Sequence, residues 1–81
     1  MKAIVTVMLK EGVLDPQGKA IAQALHGLGF AAVGEVRAGK VIEIEVDETD
    51  PEKARALASE MARKLLANLV IERFSVRMEA V

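Results

Sequence analysis

Twice in this chain an Asp-Pro pair opens an apolar-periodic run, at Asp15-Pro16 and at Asp50-Pro51. An aspartate carboxylate accepts an orphan backbone N–H at a helix start, and proline lacks the N–H that would be wasted at the first helical position. Each pair therefore predicts a helix. After Asp15, the residues Ala20, Ile21, Ala24, Leu25 and Leu28 recur at helical spacing, and Gly29 is placed to end the helix. After Asp50, the stretch through Leu66 carries an apolar stripe of Ala54, Leu57, Ala58, Met61, Ala62 and Leu65. Glu60 and Lys64 form a favourable i,i+4 pair on that helix.

Strands flank both helices. Lys2 to Leu9 is rich in β-branched residues and apolar on both faces, which predicts a central strand covered on both sides. Phe30 to Arg37 reads as a second strand, weakened by Gly34, and Ala38-Gly39 as the turn after it. Lys40 to Val46 alternates, with Ile42, Ile44 and Val46 on one face and Glu43 and Glu45 on the other. Leu69 to Met78 is the last strand, with Phe74, Val76 and Met78 opposed to Arg73, Ser75 and Arg77. The order β-α-β-β-α-β predicts an α+β, ferredoxin-like fold. It is a four-stranded antiparallel sheet with two helices on one face and the first strand between the third and the fourth.

The face away from the helices then carries an acidic row, an apolar row and a basic row. That pattern is either a solvated sheet or the self-complementary surface of a two-fold dimer. Size favours association: 81 residues make one domain, 1–81, which buries only about 60 to 65% of its unfolded surface.

Composition excludes several functions. The net charge is −1 and the charges are mixed along the chain, unlike the clustered basic face of a nucleic-acid binder. With two Phe and no Tyr or Trp, little is available to stack on bases. The absence of cysteine removes disulfides and thiolate metal sites, and His26 is the single histidine. No apolar run approaches the roughly 20 residues that span a bilayer, and the N-terminus has no signal-peptide layout, so a cytoplasmic location is expected. His26, Ser59 and Ser75 form no catalytic constellation in sequence, and Glu43 and Glu45 read as a solvated face. No phosphate-cradling glycine motif occurs. Two classes remain. One is a noncatalytic subunit of a larger enzyme; the other is a stand-alone regulatory domain that binds a small metabolite at a dimer interface.

Four stretches point further: "LKEGVLDPQG" (9–18), "ALHGLGF" (24–30), "VRAGK" (36–40) and "LLANLVIE" (65–72). In this order and spacing they resemble the PurS family, the small subunit of bacterial and archaeal phosphoribosylformylglycinamidine synthase. The resemblance covers essentially the whole chain. It implies an accessory role in purine biosynthesis, with no catalytic residue, cofactor or metal on this chain. The complete enzyme makes formylglycinamidine ribonucleotide from formylglycinamide ribonucleotide, glutamine and ATP. Its synthetase subunit, PurL, uses ATP and Mg, and its glutaminase subunit, PurQ, releases ammonia. PurS-like subunits form homodimers, with tetramers a further possibility, that join PurL to PurQ and support ammonia transfer. No nucleic acid or membrane is implied.

Residue by residue, Lys10, Val13, Leu14 and Gln17 match the family loop, with Val13 and Leu14 candidate partner anchors and Gln17 a polar contact. Leu14 is alternatively a staple onto Ala20 or its neighbours. Asp15 and Pro16 start the helix. Arg37 and Lys40 match the family hairpin as exposed cations, for an acidic partner surface or for water. Gly39 is expected as a turn requirement, Asn68 as a loop residue and Glu72 at the start of the last strand. After "VIE" the chain reads Arg73-Phe74 where family members often read Asp-Tyr, which removes a carboxylate and a phenol hydroxyl.

Overall fold

A computed structural model describes residues 1–80. Three strands form one antiparallel sheet: β1 (Lys2–Leu9), β2 (Gly39–Glu45) and β3 (Glu72–Glu79), in the order β2-β1-β3. The doubly apolar strand is central, as its pattern predicts. Val5 lies opposite Ile42 on one side and Val76 on the other, so one face of the sheet collects the branched residues of all three strands. On that face Ala3, Val5 and Val7 are buried.

Helix α2 (Pro51–Met61) covers this face. Asp50 caps it by accepting the Glu52 amide at 2.9 Å, and Pro51 opens it. Its contact ridge is Ala54, Ala58 and, just beyond the helix, Ala62, all fully buried. Alanine lets the helix axis lie close to the sheet, so the larger stripe residues Leu57, Met61 and Leu65 stay exposed rather than joining the core as the periodicity predicts. A π-turn follows at Ala62–Leu66, with the Ala67 amide donating to the Ala62 carbonyl. It turns Ala67 inward beside Val5 and Val7. The last strand begins at Glu72, later than expected. The Asn68 carbonyl accepts the amides of Ile71 and Glu72, which closes a turn over residues 68–72.

The four-stranded expectation fails at residues 30–37. This segment is not a strand, and the sheet has three. Instead it runs back along helix α1 (Pro16–Gly27). The Val36 carbonyl packs on Gly18, where a Cβ would collide with it, and the His26 Nε2–H donates to the Val33 carbonyl at 2.6 Å. Gly34 and the small residues around it give the segment little to set against β2, while on α1 it comes close at Gly18 and lies beside Ala22. Gly29 ends α1 as predicted. It adopts φ 100°, and the Phe30 and Gly29 amides donate to the Leu25 and His26 carbonyls, a Schellman closure.

The α1 hairpin therefore stands away from the sheet as an arm. Gly18 is its only buried helical residue, and Leu28 is 74% exposed. The Cα radius of gyration is 16.0 Å, against about 12 Å for a compact chain of this length. No helix among the described residues is long and apolar enough to cross a membrane.

Because Ala58 fixes the distance between helix and sheet, Ala58→Leu should overpack the core at a cost of about 1–3 kcal/mol. Thermal unfolding followed by circular dichroism should show Tm lower by about 5 to 20 °C.

Candidate partner interface

The loop between β1 and α1 is built on a tight turn. The Val13 amide donates to the Lys10 carbonyl at 3.1 Å, and Gly12, third in the turn, has φ 84°, a conformation glycine reaches without strain. The Lys10 amide donates to the Ile71 carbonyl at 2.8 Å, so the turn continues the pairing of β1 with the β3 side.

Two charged side chains then hold the loop against the returning arm. The Asp15 carboxylate is buried, at 6% exposure. One oxygen accepts the Gly18 amide at 2.8 Å and caps α1; the other accepts the Ala38 amide at 2.7 Å, across the base of the arm. The Gly18 hydrogen bond first, then the Ala38 one, hold the carboxyl below the usual carboxylate range, with Arg37 adding a smaller attraction; burial acts in the opposite sense. Arg37 donates to the Val13 carbonyl at 2.8 Å and the Lys10 carbonyl at 3.0 Å, with a longer contact to the Leu9 carbonyl at 3.5 Å. Its Nε lies 3.8 Å from Glu35.

This knot sorts the residues singled out from the sequence. Arg37 is a half-buried clamp on loop carbonyls, not the exposed cation expected of it. Gly39 is not a turn residue: it opens β2, where a Cβ would run into the Val7 carbonyl and the Met8 sulfur. Asp15 and Pro16 start the helix as read. Asn68 lies in the loop before β3, and its amide donates to Glu72 Oε1 at 2.7 Å, so the Glu72 carboxylate is engaged locally. Gln17, Lys40 and Glu72 line one shallow cleft with Asp15. Leu14 lies on another side of the knot, beside Lys19, Ala22 and Arg37. At 66% exposure it is not stapled into the fold. Lys10 is exposed and Val13 half-buried at the turn. The geometry thus presents Leu14 and Val13 on a fixed loop and keeps Gln17 and Lys40 together nearby. On the open sheet face the expected rows are only partly in place: Ile4 lies between Glu43 and Arg77, but Lys2 and Thr6 interrupt the apolar row, and Glu79, opposite Lys2, ends the basic one. Periodicity does not reveal the uncovered flank of α2 at Leu57, Met61 and Leu65. Its signal is the neighbouring stripe of alanines at i, i+4 and i+8.

Because the folded carboxyl of Asp15 titrates below its unfolded value, its stabilisation is complete above about pH 4 and is lost as pH falls through the depressed folded value. Asp15→Asn should therefore lower the urea midpoint at pH 7, and the gap between variant and parent should shrink below about pH 4. A gap that stays constant down to about pH 2 would show that the charge contributes nothing.

Comparison with known proteins places this geometry. Residues 2–80 match the family model described as PurS, phosphoribosylformylglycinamidine (FGAM) synthase. The Bacillus subtilis phosphoribosylformylglycinamidine synthase subunit PurS is 45% identical over 80 residues, covering 99% of this chain and 94% of that protein. The crystal structure of Methanocaldococcus jannaschii PurS, one of the subunits of formylglycinamide ribonucleotide amidotransferase in the purine biosynthetic pathway, matches with a TM-score of 0.90. Its identity is 44%, with coverage of 99% of this chain and 96% of that one. A chain in the structure of PurLQS from Thermotoga maritima matches with a TM-score of 0.86 at 33% identity, covering 94% and 93%. With its arm, three-stranded sheet and loop knot all inside the matched region, the chain belongs to the PurS family.

Proposed function

We propose that this chain is a noncatalytic, homodimeric subunit of phosphoribosylformylglycinamidine synthase that bridges a PurL-type synthetase and a PurQ-type glutaminase and supports ammonia transfer between them. The observation that carries the reading is its full-length likeness to a chain of the PurLQS assembly. The surface is consistent with a scaffold. Leu14 is held outward on a loop whose backbone is tied at both ends, so little ordering entropy opposes docking. Gln17 and Lys40 supply polar contacts from the cleft on the other side of the knot. ATP and Mg belong to the synthetase in this reading.

Reconstitution tests it. Synthetase and glutaminase from the same organism are supplied with ATP, the nucleotide substrate and glutamine, with and without this chain. Glutamine-dependent product should require the chain, while ammonia-dependent product should need only the synthetase. If the chain changes neither rate and co-elutes with neither protein, the bridging reading is wrong.

The loop has its own test. Val13→Asp with Leu14→Asp puts two carboxylates on the proposed contact, and should weaken co-elution with the other subunits at least tenfold while the circular dichroism spectrum stays unchanged. Undiminished assembly with an intact fold would remove this loop from the interface.

A further inference from the structure

The turn before β3 holds apolar side chains that neither its own geometry nor the core requires. Ala67 is buried beside Val5 and Val7, with Leu66 packed on the same cluster. The run that follows, Leu69-Val70-Ile71, is exposed at all three positions, and Val70 is 82% exposed. Tight turns favour glycine, proline, asparagine, aspartate and serine. Asn68 alone meets that demand here. Its carbonyl accepts the Ile71 and Glu72 amides, its Oδ1 accepts the Val70 amide at 3.1 Å, and its own amide donates to Glu72 Oε1 at 2.7 Å. These hydrogen bonds brace a turn whose tip is aliphatic and in water. Contiguous apolar side chains held out of a core mark a surface that is covered by something else.

This turn adjoins the loop that carries Val13 and Leu14. The Lys10 amide donates to the Ile71 carbonyl at 2.8 Å, and the Lys10 carbonyl accepts the Val13 amide at 3.1 Å. Two main-chain hydrogen bonds in series therefore tie one turn to the other. The sheet ends in a pair of braced turns, with Val13 and Leu14 on one and Leu69 and Val70 on the other. The charges beside them are unevenly satisfied. Glu72 is engaged by the Asn68 amide, Lys64 pairs with Glu60 at 3.4 Å, and Glu11 lies in a cleft with Arg37 and Arg73. Lys10 is exposed and forms no ion pair among the described residues. The free charge at this end is positive.

We infer that the two turns form one docking surface for a single, non-identical subunit: an apolar recess of that subunit takes Leu14 and Val70, and carboxylates at its rim face Lys10. Charge favours a different chain over a second copy of this one. A second copy brings the same unpaired cation to the contact, and its Glu11 already lies with Arg37 and Arg73. The bracing suits docking. Aliphatic side chains on a backbone fixed by hydrogen bonds lose little freedom when they are covered, so more of the burial is realised as affinity. The inference rests on the bridging reading above and adds the turn before β3 to its contact surface.

The absence of cysteine gives a direct test. Leu14→Cys and Val70→Cys are made singly in the full chain and labelled with a benzophenone maleimide. Each is then assembled with synthetase and glutaminase in the presence of ATP, the nucleotide substrate and glutamine. After irradiation, the cross-linked peptides are mapped by mass spectrometry. Both positions should capture the same subunit. Capture of two different subunits, of a second copy of this chain, or of nothing from position 70 in an assembly that forms, overturns the shared surface and leaves the bridging reading standing. If the unlabelled chain joins neither protein, both fall. Val70→Asp decides the matter where the label itself blocks assembly. It should raise the dissociation constant for the other subunits at least tenfold, with the circular dichroism spectrum and the light-scattering mass of the isolated chain unchanged. An unchanged constant, or a lower mass, overturns the inference. Lys10→Glu should weaken assembly at low salt, by a factor that shrinks as salt is added; no effect at low salt removes the acidic rim.

Discussion

The two oxygens of Asp15 organise this molecule. One caps α1 through the Gly18 amide, and the other takes the Ala38 amide just before β2 begins. A single carboxylate therefore sets where the arm leaves the sheet and where it returns. The chain can approach this closely because residue 18 is glycine: any side chain there would strike the Val36 carbonyl. Arg37, next to Ala38, reaches across to the Lys10 and Val13 carbonyls and ties the loop to the base of the arm. Buried amides and a nearby guanidinium keep the carboxylate charged, and the charged form is the one that can accept both hydrogen bonds.

The core is small in a specific way. Valines of β1 meet alanines of α2, so the layers lie close together and few large side chains are enclosed; Val5 and Val7 are the largest that are fully buried. Leucine and methionine lie on the flank of the helix instead of beneath it. A chain of this length has a limited hydrophobic contribution to begin with, and this arrangement leaves part of it on the surface. Apolar side chains left out of a monomer's core at helical spacing, in contiguous stripes, are the mark of a surface meant to be covered.

Most of the elements are legible in the sequence. Both Asp-Pro starts are capped helix N-termini, Gly29 is a left-handed stop, and the doubly apolar strand is central. These signals are local: a carboxylate against orphan amides, a glycine against a steric limit, a β-branched run against the pleat. The strand expected at Phe30–Arg37 does not form because an extended, weakly alternating segment can pair with a sheet edge or pack along a helix with the same backbone. Gly18 decides between the two by making the helix surface approachable. Gly39 departs from its expected role for a related reason, since its demand comes from β1 across the sheet and not from its own neighbours. Among the site residues, the position of Asp15 follows from its sequence context, but its second hydrogen bond to Ala38 does not. Arg37 is visible as a cation; that it commits its hydrogen bonds to the chain's own loop is not.

The sequence by itself determined both helix starts, the three strands that form, the alternation of polar and apolar faces along them, and the family likeness. Each depends on residue identity over short range, or on a pattern that needs no partner. Only the tertiary structure decided that the sheet has three strands, that α1 leaves it, and that alanine and not leucine faces the core. Those outcomes depend on which surfaces approach closest between segments far apart in the chain: Gly18 against Val36 within the arm, and Asp15 against Ala38 at its base.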